Sequence, residues 1–124
     1  MAVRRAAVMT FALIALAAVV LLILHPWTGG GAGQTVEVKI SQMHFDPSDI
    51  TVRVGQPVTI VLTNDDTLNH QFSIDALNVK TDVIGPNKTV SVTFTPSQPG
   101  DYQFICPLPG HAQLGMVGTL HVTP

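Results

Sequence analysis

Cys106, His111 and Met116 follow one another at intervals of five residues, in the stretch Cys106-Pro107-Leu108-Pro109-Gly110-His111-Ala112-Gln113-Leu114-Gly115-Met116. Cys106 is the single cysteine of the chain. A thiolate, an imidazole and a thioether on one short loop make a soft-donor set, which suits copper. A mononuclear copper electron-transfer centre takes one thiolate and two imidazoles in a trigonal plane, with a long, weak thioether on the axis. The loop offers three of those four groups. His70, 36 residues before Cys106 at the head of an alternating run, is the best-placed candidate for the fourth. Taken singly, these residues have ordinary readings, such as a buried core cysteine. Their joint spacing is what is specific.

Other chemistries fit less well. One cysteine in a domain cannot close an intramolecular disulfide. Zinc accepts a Cys/His/His set, but a methionine in the fourth place argues against it. A copper enzyme needs a second centre, and no His-x-His pair occurs; Cys106 is flanked by Ile105 and Pro107. A binuclear copper centre needs two cysteines. A carboxylate in place of the thioether is disfavoured too, because the sole glutamate, Glu37, lies far away in an early strand. His121 alternates with Leu120 and Val122 and is expected to point opposite to them, into solvent. Met43 and His44 are neighbours on a strand and should face opposite ways, which argues against a second copper site there. Asp46, Asp49, Asp65 and Asp66 read as turn residues rather than as a general acid and base.

The elements that must position the ligands read as strands. Residues 35–40, 50–54, 58–62, 70–74, 89–94, 101–106 and 117–122 are rich in β-branched and aromatic residues, with period-two alternation in most of them. Turn signals separate them: Asp46-Pro47-Ser48, Gly55-Gln56-Pro57, Asn64-Asp65-Asp66, Gly85-Pro86-Asn87 and Pro96 to Gly100. Seven or so short strands at near-regular spacing predict an all-β, antiparallel β-sandwich. Residues 76–84 give no clear element. Cys106 would end a strand, His111 lie in the following loop and Met116 open the last strand, so one end of the sandwich collects all three.

The chain of 124 residues holds one ordinary domain, and its composition changes near residue 34. Residues 1–5 are a basic start, and 6–24 run without a charge after Arg4 and Arg5. That length is at the threshold for a spanning helix, so 6–24 is expected to be a transmembrane anchor or a signal segment. Trp27 would lie at the interface, and Arg4 and Arg5 would stay cytoplasmic. Residues 25–34 form a Gly-rich linker, and 35–124 form the exported domain, on the periplasmic or extracellular side. Residues 34–124 hold all eight acids and four of the six bases, a formal charge of −4. That excess argues against nucleic acid as a partner.

Over residues 35–123 the chain resembles the cupredoxins, the small blue (type 1) copper proteins. The stretch from Cys106 to Met116 is similar to the ligand loop of the rusticyanin and sulfocyanin branch, longer between cysteine and histidine than in plastocyanins. Phe45-Asp46-Pro47, Gly55-Gln56-Pro57 and Pro99-Gly100-Asp101-Tyr102 are family-like as well. The resemblance implies a Greek-key sandwich and one copper ion, with His70, Cys106, His111 and axial Met116 as ligands. It also implies shuttling of single electrons by Cu(I)/Cu(II) cycling, with no small-molecule substrate and no enzymatic step. A redox protein partner would dock where His111 nears the surface, against Leu108, Pro109 and Leu114; the alternative is that Leu108 and Leu114 pack beneath the loop. Gln71 departs from the asparagine or serine that often follows the first histidine and links the two ligand loops. Pro107 and Pro109 lack an N–H, so between Cys106 and His111 only Leu108, Gly110 and His111 can donate one toward the thiolate. The rival function is an extracytoplasmic copper-binding protein for delivery or sequestration. Such sites tend to carry several methionines, whereas Met1 and Met9 lie at the N-terminal end and Met43 is remote in sequence.

Overall fold

A computed structural model describes residues 33–124. The N-terminal start, the apolar segment 6–24 and most of the linker lie outside the described residues. Among the described residues, no helix is long and apolar enough to cross a membrane.

Among the described residues, nine strands form two sheets. The first has the order β2 (His44–Asp46), β1 (Gln34–Ser41), β4 (Val58–Asn64), β7 (Thr89–Phe94). The second has the order β3 (Asp49–Arg53), β9 (Val117–Thr123), β8 (Gly100–Ile105), β5 (Ser73–Ile74), β6 (Val79–Lys80). Alternation sets the faces. Along β4, Val58, Ile60, Leu62 and Asn64 are buried while the residues between them are half-exposed. Val38 and Ile40 of β1 join them from the first sheet, opposite Ile50, Val52, Phe104, Leu120 and Val122 of the second. Each such buried side chain contributes about 1.5–3 kcal/mol relative to exposure. Phe45, Phe72 and Phe104 meet inside, with ring centroids 5.1–5.7 Å apart. Phe72 lies two residues after His70 and Phe104 two before Cys106, so this aromatic cluster anchors both chain segments that carry the site.

The sheets are mixed, which corrects the expectation of a purely antiparallel sandwich. β1 pairs parallel to β4 and β3 pairs parallel to β9. Alternation fixes which side chains face inward but says nothing of a neighbour's direction. The 70–74 run is a strand only at Ser73–Ile74, while His70 forms an isolated bridge with Ile84. Residues 76–84 contribute β6 and part of a single 3-10 turn, Asp75–Leu77; a second such turn, Ala112–Leu114, lies between Cys106 and Met116. Ser41 and His44 pair across a two-residue hairpin, in which Gln42 and Met43 both take positive φ, 50° and 61°. Met43 is therefore a turn residue, not a strand neighbour of His44 on an opposite face.

Candidate metal centre

Two chain segments converge at one end of the sandwich. The Cys106–Met116 loop is closed by its own backbone: Cys106 N–H donates to Met116 O at 3.1 Å and Met116 N–H to His111 O at 3.2 Å. All three soft donors of the loop are thereby stitched to one another through main-chain bonds. Within the loop, Leu114 N–H reaches His111 O at 3.1 Å, and Gly115 ends the 3-10 turn with a φ of 108°, which glycine adopts without a Cβ clash. His44 is exposed, and its ring packs against Gly115.

The second segment, residues 64–70, is built around a buried amide. Asn64 is fully buried at the end of β4, and its Nδ2 donates to Leu68 O and Ile84 O, both at 2.8 Å. Its Oδ1 accepts the Asp66 N–H at 2.9 Å. His70 N–H donates to Ile84 O at 3.0 Å and Ile84 N–H to His70 O at 2.6 Å, an isolated bridge that holds the histidine backbone in place. The Asp66 carboxylate accepts the N–H groups of Gln42 at 2.9 Å and Met43 at 3.0 Å, and His70 Nε2 lies 2.8 Å from its Oδ2. The Met43 N–H first, then His70 and Gln42, hold this carboxyl below the ordinary carboxylate range, against an opposing push from burial.

His70, Cys106 and His111 offer donor atoms that all lie within 4.8 Å of one another. His70 Nδ1 is 3.2 Å from His111 Nδ1, and Cys106 Sγ is 3.4 Å from the same atom. His70 and Cys106 are fully buried and His111 is half-buried. One thiolate and two imidazoles at these separations fit a single copper ion, the soft sulfur beside the two nitrogens being the set such sites use. Met116, expected on the axis, is fully buried in the same loop. Gln71 does not link the two loops, because its Nε2 donates to Thr81 O at 2.6 Å.

Residues 12–119 match the family model described as Cupredoxin-like domain. The chain belongs to the cupredoxin-like family. Auracyanin-A of Chloroflexus aurantiacus, a "blue" copper protein, is 32% identical over 75% of this chain and 76% of its own length. The crystal structure of dithionite-reduced auracyanin from Roseiflexus castenholzii superposes with a TM-score of 0.67 at 26% identity, covering 76% of this chain and 100% of that one. The copper-resistant cuproprotein CopI of Pseudomonas aeruginosa is 23% identical over 80% of this chain and 81% of its own. The chain carries a cupredoxin-like domain, and His70, Cys106 and His111 form its candidate copper site. A concavity of about 430 Å³ on the outer face of the first sheet, lined by Glu37, Lys39, Asp46 and Asp65 among others, includes none of the ligand candidates.

The other candidates fall elsewhere. Asp65 pairs with Lys39 at 3.2 Å on the surface. His121 points away from the core as expected, but its Nδ1 lies 2.7 Å from Asp101 and its Nε2 3.2 Å from Asp49. Leu108 packs against the core, whereas Leu114 is 68% exposed. Sequence reasoning missed Asn64 and Asp66 as parts of the site. A carboxylate four residues before a candidate histidine ligand was the available signal.

Proposed function

We propose that the protein is a membrane-tethered carrier of single electrons, with its copper domain on the extracytoplasmic side. The observation that supports this most is the convergence of Cys106 Sγ, His70 Nδ1 and His111 Nδ1 within 4.8 Å. Copper, when bound, supplies one-electron exchange between Cu(I) and Cu(II). The chain's part is to hold the donors still. Cys106, His111 and Met116 are fixed relative to one another by the loop's main-chain bonds, and Pro107 and Pro109 remove backbone freedom between them. His70 is fixed by Ile84 and Asp66. A donor set that does not rearrange lowers the reorganisation that each electron transfer requires. Met116, buried in the same loop, would supply the fourth, thioether donor.

Electrons pass at the His111 end. His111 is half-buried, and Pro109 and Leu114, its neighbours in the loop, are exposed. This apolar rim suits a brief encounter with a redox protein, since weak redox complexes use small interfaces. Leu108 serves instead to pack the loop onto the core. Residues 6–24 act as the anchor or signal segment and 25–34 as the tether to the domain at 35–124. The formal −4 of residues 34–124 sets this surface apart from nucleic-acid binders.

The second reading, copper delivery or sequestration, is favoured by the similarity to a copper-resistant cuproprotein. Electron self-exchange between oxidised and reduced copies of the full chain separates the two. Leu114→Asp, which places like charges on both docking faces, is expected to slow self-exchange by about tenfold with an unchanged visible spectrum. An unchanged rate would remove this face. Loss of copper from the parent chain on reduction would favour the delivery reading.

A further inference from the structure

The electron-transfer reading asks of Asp66 only that it hold His70 still, yet its carboxylate is engaged more fully than that or a turn requires. Oδ1 accepts the Gln42 N–H at 2.9 Å, Oδ2 accepts the Met43 N–H at 3.0 Å, and the same Oδ2 lies 2.8 Å from His70 Nε2. The two backbone donors belong to the β1–β2 hairpin of the first sheet, whereas Cys106 and His111 follow β8 of the second. The Asp66 side chain is 19% exposed and the His70 side chain not at all. One carboxylate therefore ties a fully buried histidine to the β1–β2 hairpin of the first sheet.

A carboxylate accepts and cannot donate, so Nε2 must carry the proton in this contact. The neutral imidazole then keeps its lone pair on Nδ1, the atom that stands 3.2 Å from His111 Nδ1 in the donor cluster. A metal-bound histidine whose other nitrogen donates to a carboxylate is fixed in tautomer and ring orientation and is a stronger donor. The charge balance acts in the same direction. Thiolate and Asp66 together carry −2, which a divalent ion neutralises and a monovalent ion does not; in a buried site that difference is weakly screened. Asn64 supports the arrangement by accepting the Asp66 N–H at 2.9 Å.

We infer that Asp66 is a positioning residue of the copper site: its carboxylate holds His70 as the Nε2–H tautomer, with Nδ1 turned to Cys106 and His111, and so biases the site toward Cu(II). The inference rests on the copper-site reading above. It reaches beyond that reading by assigning His70 a tautomer and Asp66, outside the ligand set, a redox bias.

Two measurements on the full chain test it. Nitrogen NMR of the copper-free parent is expected to report His70 protonated at Nε2; protonation at Nδ1 would overturn the inference, with no variant or metal required. In the copper-loaded protein, Asp66→Asn is expected to keep the thiolate-to-copper band while the Cu(II)-to-Cu(I) affinity ratio falls about tenfold, equivalent to about 59 mV of positive shift for a one-electron couple. Asp66→Glu, which keeps the charge, is expected to return the potential toward the parent. A purely structural tie to the hairpin would move neither tautomer nor potential, so an intact band with an unmoved potential in Asp66→Asn overturns the redox bias. Should Asp66→Asn fail to fold, the parent's tautomer and the Asp66→Glu potential still decide, the latter overturning the bias if it sits as far from the parent as a tenfold ratio change. A parent chain with no band would instead remove the copper-site reading, leaving the tautomer result to stand alone.

Discussion

His70 and His121 both sit in alternating runs and both have carboxylate neighbours, yet their surroundings differ in one decisive respect. His70 is fully buried, with Asp66 at one ring nitrogen and the Cys106–His111 cluster at the other. His121 stands on the outer face of the second sheet, 38% exposed, with Asp101 at Nδ1 and Asp49 at Nε2. A histidine with one nitrogen occupied still has a lone pair for a metal. One with both nitrogens on carboxylates is instead drawn to the doubly protonated form. Asp101 first, then Asp49, accordingly raises the His121 pKa above its usual 6.5. The same residue type thus becomes a ligand candidate at one end and a three-strand electrostatic clamp across β3, β9 and β8 on the other face.

The largest break in this comparison is expected on the His70 side. Asn64→Ala removes both donors to Leu68 O and Ile84 O and the acceptor for Asp66 N–H. It should cost about 2–4 kcal/mol of stability, since buried partners are left unpaired, and should weaken copper retention together with stability. Denaturant titration and copper stoichiometry on one preparation check this; a stable variant with full copper would show that the loop does not depend on the amide.

On the His121 side the effect should be small and depend on pH. A group whose folded pKa is raised contributes stability that is complete below its unfolded value, near 6.5, and is lost as pH rises past the folded value. His121→Asn should therefore lower the Tm more at about pH 6 than at about pH 9, where parent and variant converge. The copper spectrum should not change at either pH. A variant penalty that grows with pH would contradict the clamp.

The contrast also explains what was legible in the sequence. The loop's candidate donors are legible because Cys106, His111 and Met116 are local, and local spacing survives in the chain. The strands of β1, β3, β4, β7, β8 and β9 were legible through alternation. Parallel pairing of β1 with β4 was not, since period two is silent on direction. β2, β5 and β6 are only two or three residues long, too short to carry a pattern. In the sequence Asp66 reads as a turn residue, because its partners Gln42 and Met43 lie 24 and 23 positions upstream. Only the folded hairpin brings their N–H groups to its carboxylate. The Asp101–His121–Asp49 arrangement was hidden in the same way, being assembled from three strands that are neighbours in space.

The central claim is that His70 and the Cys106–Met116 loop hold one copper ion through the Cys106 thiolate. The visible spectrum of the Cu(II)-loaded full chain, recorded beside Cys106→Ser, tests it most directly. An intense thiolate-to-copper charge-transfer band is expected, bleaching reversibly with reductant and absent from the variant. Copper bound without that band, or a band that persists in Cys106→Ser, would contradict it.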